Sequence, residues 1–164
     1  MTDVTLATPR LRLEWFSREV ADQILAGHPA ADWGEGFPTA GELKAARWVN
    51  TDNDGGARHA PFLAYTVREV ASGFLIGGAG FHGRPVDRSI ELGYGLSPSY
   101  WGRGYATEAV TALIAAAFAS GRVDQVVATT DADNHHSQAV LRRAGFRAEN
   151  PAATYWITTP VLAN

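Results

Sequence analysis

Three groups of residues in this chain have types and spacings that could do chemistry. The first is Trp101-Gly102-Arg103-Gly104-Tyr105-Ala106-Thr107-Glu108-Ala109, which follows the turn-rich Ser97-Pro98-Ser99-Tyr100 and leads into an alanine-rich stretch reaching Ser120. Two glycines at the mouth of a helix leave backbone N–H groups uncovered by side chains. The first helical turn carries four such donors without intrahelical partners, and the helix dipole adds partial positive charge. That combination suits a phosphate. Taken alone, it is equally a glycine-rich turn ahead of a helix.

The second group is Glu91 within Ser89-Ile90-Glu91-Leu92-Gly93-Tyr94-Gly95-Leu96. Strand alternation puts Ile90, Leu92 and Tyr94 on one face and Glu91, Gly93 and Gly95 on the other. A carboxylate in line with two glycines faces either solvent or a hollow. The third group is Asn134 and Ser137. Asn at an N-cap and Ser at N3 stabilise a helix without any ligand, and the same pair could also hold one.

Other motifs lead nowhere. Gly78-Ala79-Gly80-Phe81-His82-Gly83 matches the dinucleotide pattern G-x-G-x-x-G in letters only. That fingerprint needs a helix to open at the glycines, whereas Arg84-Pro85 and Asp87 follow here. No Walker lysine follows a glycine loop. His135 and His136 are adjacent and so cannot share a helix face as metal ligands do, which leaves them as surface residues with no metal expected. The chain has no cysteine, which removes disulfides, thiolate metal sites and a cysteine nucleophile, and suits a reducing cytoplasm.

The elements that must position these groups follow from periodicity. Thr8 to Trp15 alternates as a half-exposed strand, and Ser17 caps a helix ending at Gly27. Gly27 to Pro38 is loop, and Thr39 caps a second helix burying Leu43, Ala46 and Trp48 or Val49. Asn53-Asp54-Gly55-Gly56 is a turn. Pro61 to Glu69, Gly73 to Phe81 and Ser89 to Leu96 form a meander, with a tight hairpin at Val70 to Ser72 and a longer loop from Gly83 to Asp87. The helix from Gly104 to about Ala119 crosses to a strand at Gln125 to Thr129, which predicts parallel pairing. Asn134 caps the last helix, Gly145 ends it, and Tyr155 to Ile157 closes the sheet.

At 164 residues the chain is expected to be one domain, burying roughly 70% of its unfolded surface. A net charge of −3 favours neither nucleic acid nor an anionic membrane. No apolar run is long enough for a signal peptide or a membrane span, so a cytoplasmic monomer or homodimer is expected.

The glycine loop resembles the acetyl-CoA pyrophosphate loop of the GNAT superfamily of N-acetyltransferases. It is most similar to the ribosomal-protein N-terminal alanine/serine acetyltransferase type. In the wider pattern Q/R-x-x-G-x-G/A, Gly104 and Ala106 fill the last positions and Trp101 stands where Gln or Arg is usual. The order β-α-α-β-β-β-α-β-α-β extends the resemblance to the whole chain. It implies an α/β (α+β) GNAT fold: a mixed, mostly antiparallel sheet, splayed at the cofactor site, with helices on both faces. It further implies acetyl transfer from acetyl-CoA to a primary amine, with no metal. Backbone N–H groups of Arg103, Gly104, Tyr105, Ala106 and Thr107 would hold the pyrophosphate, and Asn134 the pantetheine. The Leu96 N–H would face the acetyl oxygen, Glu91 would be general base through water, and Ser137 would lie near the thiol.

The acceptor, a small molecule or a protein N-terminus, is a cation before it reacts. Its site should therefore carry negative charge and aromatic faces. The Gly27–Pro38 loop offers Asp32, Trp33 and Glu35, and in the resembling fold it borders the acceptor site. Two other readings compete: a catalytically silent CoA-binding module, and a phosphate-ester enzyme using the same helix terminus.

Overall fold

The computed structural model of the protein describes residues 4–51 and 56–161. The turn expected at Asn53-Asp54-Gly55 lies outside them. Within them one eight-stranded sheet runs through the molecule in the order β1-β2-β3-β4-β5-β6-β8-β7. Its strands are β1 (Thr5–Ala7), β2 (Leu11–Trp15), β3 (Ala64–Glu69), β4 (Leu75–Val86), β5 (Ser89–Leu96), β6 (Gln125–Thr129), β7 (Arg147–Ala148) and β8 (Tyr155–Thr158). Helices α1 (Arg18–Ala26) and α2 (Ala40–Thr51) precede β3. Helix α3 (Tyr105–Ala119) joins β5 to β6, and α4 (His135–Arg143) follows β6. Among the described strands only β5 and β6 pair in parallel, as the crossover through α3 predicts, and a single isolated bridge between Trp33 and Leu75 is parallel too. None of the described helices is long and apolar enough to cross a membrane.

Strand alternation divides the sheet between two helical layers. Leu11, Leu13, Tyr65, Val67, Phe81 and Leu92 pack in one cluster with Val110 and Leu113 of α3 and Leu141 of α4. Phe16, Ala21, Ile24, Phe37 and Ala46 form a second cluster with Leu75, under α1 and α2. Truncating a fully buried side chain such as Leu113 to alanine should cost about 2–5 kcal/mol.

Two sequence expectations need correcting. The Gly83–Asp87 loop is not a loop: β4 continues to Val86 and turns on Asp87 and Arg88 alone, at φ 49° and 59°. Two left-handed residues make the tight turn whose twist matches a hairpin. Arg88 is held there by a two-pronged bond to Asp124, with Nε–Oδ2 2.6 Å and Nη2–Oδ1 2.8 Å, a long-range contact that local pattern does not reveal. Strands β1 and β7, three and two residues long, give too few positions for an alternation to register. Of the two alternatives for the buried side of α2, Val49 packs against the second cluster and Trp48 is 46% exposed.

Candidate functional site

The site is organised by a gap in the sheet. β5 and β6 pair only over Ser89–Glu91 and Gln125–Val127. Beyond Glu91 the two strands separate, and Ala128 and Thr129 pair with β8 instead. The Ser97 N–H donates to the Ile76 carbonyl of β4 at 2.8 Å. Alternation along an antiparallel strand therefore turns the Leu96 N–H the other way, into the gap. On the same side, the Trp101 indole N–H donates to the Leu96 carbonyl at 2.7 Å. The position that usually holds Gln or Arg thus fixes the end of β5.

The mouth of α3 adjoins this gap. Gly102 and Gly104 sit at φ 73° and 79°, the left-handed region where a Cβ is strained. Gly104 is the N-cap, and among the described residues no side chain caps the first turn, which leaves its N–H groups to an anion. Arg10 supports the loop from behind. Its Nε bonds Glu108 at 2.7 Å, its Nη1 donates to the Arg103 carbonyl at 2.8 Å, and its guanidinium lies over the Tyr105 ring at 4.6 Å. Burial pushes the Glu108 carboxyl up, but hydrogen bonds from Thr8 and Arg10 together hold it below its ordinary value. Tyr105 donates to Glu69, which also accepts from Ser72 at 2.6 Å. Those two bonds hold the Glu69 carboxyl below its ordinary value, and the bond to Glu69 pushes the Tyr105 phenol up. The Arg103 side chain folds back, donating to the Ser99 carbonyl at 3.2 Å and lying 3.8 Å from Glu69.

Across the gap, Asn134 caps α4 by accepting the Ser137 N–H at 3.0 Å. Ser137 in turn meets Tyr94: the phenol donates to the Ser137 carbonyl at 3.0 Å and lies 2.7 Å from its hydroxyl. Burial keeps the Tyr94 phenol protonated to higher pH than usual. The His136 imidazole stacks on Trp101, with ring centroids 5.4 Å apart, so this histidine is more than a bare surface residue.

Glu91 lies on the opposite face, half-buried, accepting from Thr129 Oγ1 at 3.1 Å. His82, its cross-strand partner, approaches its other oxygen at 3.7 Å. Beside them, beneath α2, lies a cavity of about 570 Å³. Register builds its floor in rows: Thr66, Gly78 and Gly95 align across β3, β4 and β5, then Ala64, Gly80 and Gly93, with His82 and Glu91 beyond. The apparent dinucleotide pattern is thus a strand whose missing side chains make room.

The structure brings the glycine loop, Leu96, Asn134 and Ser137 around one gap. It does not bring Asp32, Trp33 and Glu35 to the cavity. Asp32 pairs with Arg68 at 3.0 Å, Trp33 packs edge-on against Phe37, and Glu35 stays exposed. Their loop does reach the end of β5, where a Cβ on Gly36 would lie 3.5 Å from Ser97. Sequence reasoning missed Arg10, Tyr94 and Glu42. For Glu42 a signal existed, since Thr39-Ala40-Gly41-Glu42 has the T-x-x-E spacing of a capping box.

A sequence profile described as the acetyltransferase (GNAT) domain matches residues 10–147. The uncharacterized N-acetyltransferase p20 of Bacillus licheniformis is 32% identical over 161 residues, covering 92% of this chain and 86% of p20. The uncharacterized N-acetyltransferase YoaA of Bacillus subtilis is 30% identical over 82 residues, covering 49% of this chain and 46% of YoaA. The chain thus matches about half the length of that relative. Among solved structures, a GNAT-family acetyltransferase from Bacillus anthracis superposes with a TM-score of 0.68 at 21% identity, covering 95% of this chain and 98% of that one. RimL, a ribosomal L7/L12 alpha-N-protein acetyltransferase in complex with coenzyme A, does so with a TM-score of 0.66 at 17% identity, covering 95% and 98%. Both share the mixed, mostly antiparallel fold.

Proposed function

The chain belongs to the acetyltransferase (GNAT) family, and from that premise we propose that it moves acetyl from acetyl-CoA to a primary amine. The observation that carries the reading is the opened β5–β6 edge lying beside the uncapped first turn of α3. Neighbours of the same fold bind CoA or acetyl-CoA, which supports the cosubstrate. Acetyl-CoA supplies an activated thioester carbon. The N–H groups of Arg103 through Thr107 hold its pyrophosphate, with Arg10 keeping the loop in place. Asn134 has its Oδ1 committed to the Ser137 N–H, which leaves its amide nitrogen for the pantetheine.

The Leu96 N–H donates to the acetyl oxygen, where negative charge develops. Glu91 accepts the ammonium proton through water, and the amine nitrogen bonds to the thioester carbon as the carbon–sulfur bond breaks. The Tyr94–Ser137 pair faces the departing thiolate and gives it the hydroxyl proton, and the second proton shed by the acylated nitrogen passes through water back to that hydroxyl. Asp32 and Glu35 add negative potential at the approach to β5, with Trp33 as packing beneath them. Action in the cytoplasm, as a monomer or homodimer, completes the reading.

A panel of amines assayed for acetyl-CoA-dependent thiol release tests it. Release with at least one primary amine is expected. CoA binding without release from any amine would indicate a silent binding module. Turnover that needs a nucleotide and Mg²⁺ would indicate phosphate-ester chemistry.

A further inference from the structure

Glu42 is buried, 3% exposed, in the third position of α2. Its Oε2 accepts both the Thr39 N–H at 2.7 Å and the Thr39 hydroxyl at 2.6 Å, which caps the helix. Its Oε1 makes no hydrogen bond among the described residues. Among the described residues the one buried side-chain oxygen left without a partner is Ser97 Oγ, so Glu42 Oε1 is not sealed in the core but reaches the open space beside it, free to meet a donor that enters there. The residue lines the 570 Å³ cavity, and a Cβ built on Gly78 would lie 3.0 Å from Oε1.

Position along the strands gives this oxygen a use. Gly78 is paired with Gly95, the residue before Leu96. A Cβ on Gly95 would meet nothing within 4 Å, so the cavity opens onto the backbone there. Neighbouring strands lie about 4.8 Å apart, so the Glu42 carboxylate stands roughly one strand spacing from the end of β5. Glu91 is four residues away from Gly95, roughly 13 Å along the strand. A cation at the Leu96 end of the cavity meets Glu42 before Glu91. The wall beside Glu42 is uncharged, formed by Ala45, Ala64 and Thr66, while Lys44 and Trp48 stand exposed at the rim.

We propose that Glu42 binds the reacting ammonium group, and that the acceptor is a primary amine with an apolar or aromatic body lying on the glycine floor. Glu42 is then the residue that fixes acceptor charge, while proton removal stays with Glu91 and water. This inference rests on the acetyl-transfer reading above. It adds to that reading the acceptor class and the face from which the acceptor enters.

The test is binding of benzylamine and its neutral analogue benzyl alcohol to the full chain saturated with CoA, read by calorimetry or amide NMR shifts. The wild-type chain is expected to prefer the cation by roughly tenfold or more, as a hydrogen bond to a buried charge implies. Glu42→Gln should abolish that preference without altering CoA affinity. Glutamine can still close a capping box, so the melting temperature should barely move. Thr39→Ala is the counterpart: it weakens the cap and keeps the charge, so it should lower stability and retain the preference. Gly95→Val should block benzylamine by filling the open space, with CoA binding kept. A Glu42→Gln variant that still prefers the cation overturns the assignment, as does a wild-type chain that binds CoA and shows no preference. Failure of the wild-type chain to bind CoA would instead overturn the acetyl-transfer reading beneath it.

Discussion

The two sides of β5 are built from different materials. On the side that opens toward β6, the useful groups are main-chain N–H donors and the ends of two helices, nearly all within the span Leu96 to Thr107. On the side beneath α2, they are the missing side chains of Gly78, Gly80, Gly93 and Gly95 and a carboxylate brought from Glu42. The first side depends on local backbone conformation. The second depends on register between strands and on a helix folded over them. Local conformation is vulnerable to single backbone-altering changes, whereas the assembled cavity is vulnerable to changes of charge and volume.

The largest expected effect is on the first side. Gly104→Glu places a Cβ at a left-handed φ, 3.3 Å from Arg10 Nη2. The guanidinium would draw the new carboxylate over the N–H groups meant for an anion. CoA affinity measured by calorimetry should fall below detection. The fold should lose only about 1–2 kcal/mol, the cost of a side chain in that region. Unchanged affinity in a folded variant would break the comparison where it is strongest.

Next is the strut across the gap. Tyr94→Phe removes the hydroxyl that reaches Ser137, and turnover should drop about 10²-fold with little change in the Michaelis constant for acetyl-CoA. Ser137→Ala leaves the phenol bonded to the backbone carbonyl and should cost roughly tenfold or less. Activity per folded molecule separates this from mere bracing. If both variants only melt earlier, the pair is structural.

Glu91→Gln sharpens the other side. It keeps the Thr129 hydrogen bond and removes basicity, so turnover near neutral pH should fall roughly tenfold or more. The loss should shrink as pH rises and the amine deprotonates unaided. A pH–rate profile overlaying that of the parent would assign the proton to another acceptor.

The same contrast explains what was legible in the sequence. The loop around Gly102 and Gly104, the cap at Asn134 and the alternation about Glu91 are short-range patterns, and each appears in the structure where periodicity puts it. The parallel strand after α3 followed from a crossover rule. Glu42 and Tyr94 did not stand out, because capping and alternation already account for them locally. Their second roles arise only when α2 lies over Gly78 and α4 lies beside Tyr94. The Asp87-Arg88 turn was hidden for a related reason, since Asp124, 36 residues on from Arg88 and just ahead of the neighbouring strand β6, holds it.

A smaller effect tests the clamp behind the glycine loop. The folded-state pKa of Glu108 is depressed, so its stabilisation is full above the ordinary carboxylate value near 4.3 and is lost as pH falls through the folded value. Glu108→Gln should therefore destabilise the chain at pH 7 by about 1 kcal/mol, a modest figure because Arg10 is half-exposed. Denaturant titrations should show the gap between variant and parent closing below pH 4 or so. A gap that stays constant with pH would mean that Thr8 and the Arg10 N–H, rather than charge, make the clamp.

The smallest effect concerns Asp32 and Glu35. Both are exposed, and the Asp32 carboxylate already faces Arg68, which also holds Glu14 at 2.9 Å. Neither lines the cavity, so each reaches an acceptor there only through solvent, where charges more than about 10 Å apart are screened at 0.1 M salt. Asp32→Asn combined with Glu35→Gln should raise the Michaelis constant for a small amine such as benzylamine by no more than about twofold, vanishing as salt is added. The constant for acetyl-CoA should not change. The loop carrying them touches Ser97, however, so an acceptor long enough to extend out of the cavity would pass it. A salt-resistant rise of several-fold with benzylamine itself would move the acceptor from α2 to this loop. The same rise seen only with a peptide amine would leave the ammonium at Glu42 and make the loop an outer contact for a longer substrate.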